Sequence, residues 1–219
     1  MGIIYFNWPL AININQHYLI AHTMFWYQDD IKRLEDERKA ISRQPATLFY
    51  GSSSIRLWGS LSSDFKEFDP VNIGFGGSTL AACTWYFDKV MEGRKPKRIV
   101  LYAGDNDLGD GRHPEEVFLF FEEFAERVIK KFGPLPCYFI SLKPSSNRWG
   151  MVNSFRFTNQ IIRAEIENNR PNWHWIDIFD AMLNADGYPN AAYYMSDGLH
   201  LSAQGYSLWT KIVKKALSK

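Results

Sequence analysis

The chain has 219 residues, of which 46% are hydrophobic and 22% are charged, and its formal net charge is +1. This balance predicts a globular protein with enough apolar material for the core of one domain, which we place at residues 26–219. A near-neutral charge without a basic stripe argues against a nucleic-acid partner. The two cysteines lie outside any metal-binding cluster. They predict neither a zinc site nor a disulfide framework, and they favour a reducing, cytoplasmic location.

The first 28 residues contain no Lys, Arg, Asp or Glu, but Asn, Gln and His side chains interrupt their apolar run. A secretory signal has a positively charged start and an unbroken apolar stretch, and a membrane-spanning helix needs about 20 apolar residues in succession. We therefore interpret residues 1–25 as an extension that packs on the domain or on another subunit, which would form a homodimer. A divergent export signal is the alternative.

From residue 26 onward the sequence alternates between helical and strand patterns. Trp26–Ile41 predicts an amphipathic, mostly exposed helix, and Pro45 follows it. Five β-rich runs come next, at Thr47–Tyr50, Val71–Ile73, Arg98–Tyr102, Cys137–Leu142 and His174–Ile178. Further helices are predicted at Ser54–Leu61, Thr79–Glu92, Pro114–Lys131, Val152–Asn169 and Ser202–Leu217. This alternation predicts a parallel sheet with helices on both faces.

Residues with chemical function follow three of the predicted strands and precede the last helix. They occur in Gly51–Trp58 (GSSSIRLW), Gly74–Ser78 (GFGGS), Gly104–Asp107 (GDND) and Asp197–His200 (DGLH). Parallel sheets bind their ligands at the carboxyl ends of the strands, so these segments should meet at one rim. The rim would then hold a serine, an Asp-x-x-His pair, glycine amides and an asparagine, which together suit acyl transfer.

Each of these residues has an expected role. Ser53 is the predicted nucleophile and His200 its general base, because a serine hydroxyl needs a neighbour that accepts its proton near neutral pH. Asp197, three residues before His200, is expected to hold the imidazole in the required tautomer. The amides of Ser53 and Gly77 and the side-chain NH₂ of Asn106 are the candidate donors of an oxyanion hole.

These four segments, in this order, resemble the blocks of the SGNH (GDSL-like) hydrolases, whose four letters match Ser53, Gly77, Asn106 and His200. The resemblance covers residues 45–217. It implies a three-layer α/β/α domain with a flavodoxin-like parallel sheet of five strands. It also implies hydrolysis of a small-molecule carboxylic ester through an acyl-enzyme, with no cofactor and no metal. We expect a short acyl group, because the sequence contains no long apolar lid segment.

Two positions depart from the family pattern. Ser52 stands where the family has the Asp of its Gly-Asp-Ser block, and Asp105 stands where it has Thr before Asn106. A serine still donates and accepts hydrogen bonds, so we expect activity to survive. The family's proline-rich block is not obvious, although Lys143–Pro144 follows the fourth strand. The alternative function is a non-catalytic ligand-binding protein of the same fold, which the change at Ser52 alone supports.

Several of these residues also have simpler interpretations. Ser52–Ser54 are typical of a strand-to-helix turn, and the glycines of Gly74–Gly77 suit a phosphate-binding loop. Asp105–Glu116 begins like a calcium loop, but its fifth and sixth positions do not fit, and we interpret Asp107 as a structural hydrogen-bond partner. Of the five histidines, His200 is distinguished by an aspartate three residues earlier and a helix directly after it.

Three aromatic residues, Trp58, Trp149 and Tyr194, are candidates to line the substrate pocket, although most aromatic side chains belong to a core. Arg148 could contact a substrate anion, but we interpret it as an exposed surface arginine.

Overall fold

The computed structural model describes residues 24–40 and 43–219 and contains one five-stranded sheet. The strands are β1 Thr47–Gly51, β2 Pro70–Gly74, β3 Arg98–Tyr102, β4 Cys137–Ile140 and β5 Trp173–Ile176. They are arranged in the order β2-β1-β3-β4-β5, and every neighbouring pair is parallel. This is the flavodoxin-like order, so the predicted fold class is confirmed.

Helices connect the strands. In the described part of the chain the α-helices are α1 Gln28–Ala40, α2 Ser53–Arg56, α3 Leu61–Asp64, α4 Leu80–Trp85, α5 Phe87–Val90, α6 Asp105–Gly109, α7 Pro114–Phe132, α8 Val152–Asn169 and α9 Ala203–Leu217. Pro114 occupies the first turn of α7, where its missing N–H costs no hydrogen bond. The Ser202 side chain accepts a hydrogen bond from the Gly205 amide at 3.2 Å and caps α9, as predicted.

The two faces of the sheet pack into two separate hydrophobic cores. Leu48 and Tyr50 of β1 point into the core that α1, α4, α5, α7 and α8 cover. Phe49, between them, points into the opposite core with residues of α2, α3 and α9. β1 is therefore buried on both faces, which explains why it is a continuous apolar run rather than an alternating one.

The sequence prediction of single helices at 54–61 and 79–92 is wrong in detail, because each region contains two short helices. Residues 57–60 separate α2 from α3, and Tyr86 separates α4 from α5. The prediction also missed α6, whose DNDLG sequence has too few apolar residues to show a helical period.

A close approach of backbone to backbone fixes the end of β1. Gly51 has φ +138°, and a Cβ at this position would lie 1.9 Å from the carbonyl oxygen of Tyr102. Only glycine fits there. The next residue, Ser52, donates its amide hydrogen to the same Tyr102 oxygen at 2.9 Å. The turn that leads into Ser53 is therefore held directly against the end of β3.

The predicted extension over residues 1–25 lies almost entirely outside the described residues, so its packing and a dimer through it stay predictions, as does the boundary at residue 26. Among the helices of residues 24–40 and 43–219, none has the length and apolar character that crossing a membrane requires.

Candidate active site

The candidate residues gather at the carboxyl end of the sheet, beside the central strands β1 and β3. Ser53 begins α2 directly after β1, and Asn106 lies in α6 directly after β3. The loop Gly74–Gly77, which we call the glycine loop, follows β2. β1 and β3 are neighbours in the sheet but not in the chain, and such a topological switch point is where open parallel sheets bind ligands.

Asp197 and His200 form the predicted pair. The Asp197 Oδ2 atom lies 2.6 Å from the His200 Nδ1 atom. The Oδ1 atom of Asp197 accepts hydrogen bonds from the amides of Leu199 and His200, both at 2.9 Å. The hydrogen bond with His200 is the largest cause that lowers the pKa of Asp197 to about 2. The carboxylate is therefore ionised at neutral pH, and its position directs the Nε2 atom of His200 away from it.

Hydrogen bonds to the two residues after Ser53 fix its position, and its own side chain takes no part in them. The Tyr206 hydroxyl of α9 donates to the Ser54 carbonyl at 3.1 Å, and the Asn72 side chain of β2 donates to the Ile55 carbonyl at 2.6 Å. Within residues 24–40 and 43–219 the Ser53 hydroxyl makes no hydrogen bond. Its pairing with His200 therefore stays a prediction.

Two backbone amides at the rim have the properties expected of oxyanion donors. Ser53 is the first residue of α2, a position whose amide has no acceptor within a helix. Gly77 has φ +65°, and its amide has no backbone acceptor among the described residues. A residue with a side chain would adopt this φ only with strain, which accounts for glycine here.

The Asn106 side chain is the third predicted donor, and both of its ends are engaged. Its Nδ2 atom donates to the Ser78 carbonyl at 3.0 Å, and its Oδ1 atom accepts from the Arg148 guanidinium at 2.9 Å. An asparagine NH₂ group has two hydrogens, so one remains for a substrate oxygen. Arg148 thereby fixes which end of the amide faces the Ser78 carbonyl.

The interpretation of Arg148 as an exposed surface residue is wrong. Its side chain is 15% exposed, and its guanidinium also donates to the Asp105 carbonyl at 2.7 Å. The partners of Arg148 lie more than 40 positions away in the sequence. No local pattern marks such a contact, so the sequence carried no signal for this role.

Asp105, the second departure from the family pattern, forms a buried ion pair. Its Oδ2 atom lies 2.9 Å from the Lys143 Nζ atom and accepts from the Tyr102 hydroxyl at 3.1 Å. The side chains of Asp105 and Lys143 are 5% and 2% exposed. Burial alone would raise the pKa of Asp105, but the charges of Lys143 and Arg148 outweigh it, and the pKa is lowered. The pair links the ends of β3 and β4 beneath the rim.

Asp107 has the structural role that the sequence suggested. Its carboxylate accepts hydrogen bonds from the amides of Leu80 and Ala81, at 2.5 and 3.2 Å, at the start of α4. Burial raises its pKa to about 6, although these two amides and the charge of Arg112 act in the opposite direction. Asp107 thus connects α6, which contains Asn106, to α4, the helix that follows the glycine loop.

Ser52, the first departure, keeps a backbone role only. Its side chain is buried, and its hydroxyl has no hydrogen-bond partner in the described part of the chain. The described residues also contain no group of three or more His, Cys, Asp or Glu side chains placed to hold a metal ion.

Two of the three aromatic residues expected at the pocket belong to the core instead. Trp58 is 1% exposed and its Nε1 atom donates to Asp64. Tyr194 is 6% exposed and its hydroxyl donates to the Pro144 carbonyl. Trp149 alone is half-buried, and its ring contacts the exposed ring of Tyr188, with 5.4 Å between centroids. The sequence reveals that these residues are aromatic but not which of them the fold leaves accessible.

Solved structures with this fold cover most of the chain. A Streptococcus pneumonia protein described as a candidate platelet activating factor is 20% identical, with a TM-score of 0.78 over 95% of this chain and all of the other. A GDSL-like lipase from Bacteroides thetaiotaomicron is also 20% identical, with a TM-score of 0.71 over 86% of this chain and 97% of the other.

A third similar structure is an acetyl esterase mutant determined with an acetate ion. It is 14% identical, with a TM-score of 0.63 over 78% of this chain and 95% of the other. A search of curated proteins gives no match.

The strand order and the residues at the carboxyl end of the sheet match those of the SGNH hydrolases. The family model of the GDSL-like lipases and acylhydrolases matches residues 48–208, which is most of the chain. The chain belongs to this family and is a hydrolase that acts on ester bonds, as the resemblance of its motifs implied.

Proposed function

We propose that the chain cleaves a small carboxylic ester through an acyl-enzyme on Ser53. The Ser53 Oγ atom attacks the ester carbonyl while the His200 Nε2 atom accepts its proton. The resulting oxyanion accepts hydrogen bonds from the amides of Ser53 and Gly77 and from Asn106. Collapse of the intermediate breaks the bond to the alcohol, which leaves with the proton from His200. Water then attacks the acyl group by the same steps and releases the acid.

The observation that carries this proposal is the 2.6 Å contact between the Asp197 Oδ2 and His200 Nδ1 atoms. An acceptor at Nδ1 places the imidazole hydrogen there, so that Nε2 is unprotonated and able to act as a base. Asp197 also accepts two backbone amides, which keeps its carboxylate in place.

Two observations support a short acyl group. One of the similar structures is that of an acetyl esterase mutant with an acetate ion. Of the three aromatic residues predicted for the pocket, Trp149 is the accessible one, beside the exposed ring of Tyr188, since Trp58 and Tyr194 are buried. We propose Trp149 as a substrate contact on this basis, because it directly follows Arg148, whose guanidinium binds Asn106.

The proposal is tested by hydrolysis of p-nitrophenyl acetate, butyrate and octanoate, with labelling by a serine-reactive fluorophosphonate as a second measurement. We expect turnover that is fastest with acetate or butyrate, together with labelling of one serine. A preference for octanoate would contradict the short acyl group. A protein that neither hydrolyses these esters nor reacts with the fluorophosphonate would favour the non-catalytic ligand-binding alternative.

The role of Asp197 predicts a particular pH dependence. Its pKa of about 2 keeps the carboxylate ionised throughout the working range, so lowering the pH from 8 to 4 does not protonate Asp197, and this residue adds no proton of its own to the pH profile. The acid limb of kcat/KM should therefore follow a single proton. Asp197→Asn should lower kcat/KM by about 10²- to 10⁴-fold, because the amide favours the wrong imidazole tautomer.

Asp186→Asn is the matched control, since Asp186 is an exposed aspartate in the turn at 184–187. It should retain the wild-type pH profile and rate. An acid limb that follows two protons, or full activity of Asp197→Asn, would show that another group performs this function.

A further inference from the structure

We propose that α1 and Tyr27, the residue directly before it, form a positioning element of the oxyanion hole, in which Tyr27, Asp30 and Arg33 hold the glycine loop so that the Gly77 amide faces the substrate. This inference rests on the proposed function, because it concerns the rate of the same reaction. None of the three side chains is assigned a contact with the substrate, so they are positioning residues. α1 and Tyr27 precede the segment 48–208 that the family model matches.

Three hydrogen bonds join this part of the chain to the glycine loop. The Arg33 guanidinium donates to the Gly74 carbonyl at 3.0 Å, and the Asp30 Oδ2 atom accepts the Gly76 amide at 3.2 Å. The Tyr27 hydroxyl donates to the Gly77 carbonyl at 3.1 Å. These contacts span 41 to 50 positions of sequence, and together they engage both ends of the loop.

The contacts of Asp30 and Tyr27 lie on either side of the peptide group between Gly76 and Gly77. The peptide group between Gly76 and Gly77 carries the Gly77 N–H, which is the proposed oxyanion donor. Asp30 accepts the Gly76 N–H, which belongs to the preceding peptide group, and Tyr27 donates to the Gly77 carbonyl, which belongs to the following one. A peptide between two glycines rotates easily, because neither residue has a Cβ to restrict it. The two contacts therefore restrain a rotation that would turn the Gly77 N–H away from the oxyanion.

Asp30 is the centre of this arrangement. Its side chain is 17% exposed, and its carboxylate is paired with Arg33 at 3.2 Å and with Arg56 of α2 at 3.6 Å. A Cβ on Gly76 would lie 2.4 Å from the Arg56 guanidinium, so the loop packs closely beneath the pair. Asp30 thus links the glycine loop to the helix that begins with Ser53.

α1 has the firm attachment that a positioning element requires. Ile31 and Leu34 are fully buried in the core on this side of the sheet. The Tyr27 ring contacts Phe75 of the loop edge to face, with 5.4 Å between centroids. The ring contact and the hydrogen bond together fix the position of the Tyr27 side chain. The buried residues of α1 anchor the contacts to the glycine loop on the core.

The test compares Asp30→Ala, Asp30→Asn and Tyr27→Phe with Asp36→Ala as the matched control. Asp36 is an exposed carboxylate of the same helix that pairs only with Lys39 in the described residues. For each variant, kcat and KM are measured with the ester that the wild type hydrolyses best. The affinity for an alkyl boronic acid is measured in parallel, because its tetrahedral adduct with Ser53 places an oxygen in the oxyanion hole. Thermal unfolding reports on stability.

Asp30→Ala should lower kcat by about 10- to 100-fold with KM within about threefold, because misplacing one oxyanion donor acts on the transition state. The boronic acid should bind weaker by the same factor as kcat/KM falls. Asp30→Asn should recover part of the rate, since its amide oxygen still accepts the Gly76 N–H. Tyr27→Phe should lower kcat by about three- to tenfold, and Asp36→Ala should match the wild type.

The proposal is overturned if Asp30→Ala and Tyr27→Phe keep kcat and boronic acid affinity within twofold of wild type while Ser53→Ala is inactive. Equal activity of Ser53→Ala and wild type would instead show that the proposed function is wrong. If Asp30→Ala does not fold, the decision rests on Tyr27→Phe and Asp30→Asn, which keep the size of the native side chains.

Discussion

Ser53→Ala should lower kcat/KM for the best p-nitrophenyl ester by about 10⁴-fold or more, with little change in stability. Removing the nucleophile of a serine hydrolase leaves only the weak catalysis supplied by the oxyanion donors and by substrate binding. The Ser53 hydroxyl makes no hydrogen bond in the described part of the chain. Its removal should therefore not disturb the turn, and the measurement isolates its chemical role.

Ser52→Ala is the matched control for this experiment. Ser52 is the adjacent serine, it is buried, and its hydroxyl has no partner among the described residues. The variant should keep the wild-type rate within a few fold and should still react with the fluorophosphonate. If Ser52→Ala were inactive and Ser53→Ala active, the nucleophile would have to be reassigned.

Lys143→Met should lower the free energy of unfolding by about 3 kcal/mol, because it leaves the buried Asp105 carboxylate without its nearest positive charge. Arg148 lies 3.6 Å from the same carboxylate oxygen and limits the loss. The pKa of Asp105 is lowered in the folded protein. The stabilisation from the pair is therefore present at neutral pH and is lost as the pH falls below the ordinary aspartate value of about 4.

Urea denaturation at pH 7 measures this effect, with two further variants for comparison. Lys89→Met removes the partly exposed ion pair with Glu35 and should leave the free energy of unfolding close to the wild-type value. The double variant Asp105→Asn with Lys143→Met should recover most of the stability lost in Lys143→Met, because the buried carboxylate is gone and Arg148 keeps its hydrogen bonds to the Asp105 carbonyl and Asn106. A double variant less stable than Lys143→Met would contradict this account.

The sequence predicted the sheet, the long helices and the contact within the Asp-His pair, because each depends on a pattern within a short segment. The Asp-x-x-His spacing predicted the contact between Asp197 and His200, which lie three positions apart. Asp107 was also assigned correctly as a structural partner. The fold class followed from the alternation of strand and helix patterns and from the order of the motifs.

The supporting contacts were not predictable, because they join segments that are distant in sequence. Arg148 is 42 positions from Asn106, and Tyr27 is 50 positions from Gly77. No local signal distinguishes these residues from ordinary surface side chains. Trp58 failed as a pocket residue for a related reason, since burial of an aromatic ring depends on which helix packs over it. The local pattern proposes the reacting groups, and the tertiary structure determines which distant residues contact them.

The buried pair of Asp105 and Lys143 also constrains how such a chain can diverge. A carboxylate at 105 without an ammonium at 143, or the reverse, leaves a buried charge without its nearest partner, which destabilises the fold and disfavours a change of one residue alone. Across homologous sequences the two positions should therefore covary, with lysine at 143 accompanying aspartate at 105 and disappearing where an uncharged residue replaces that aspartate.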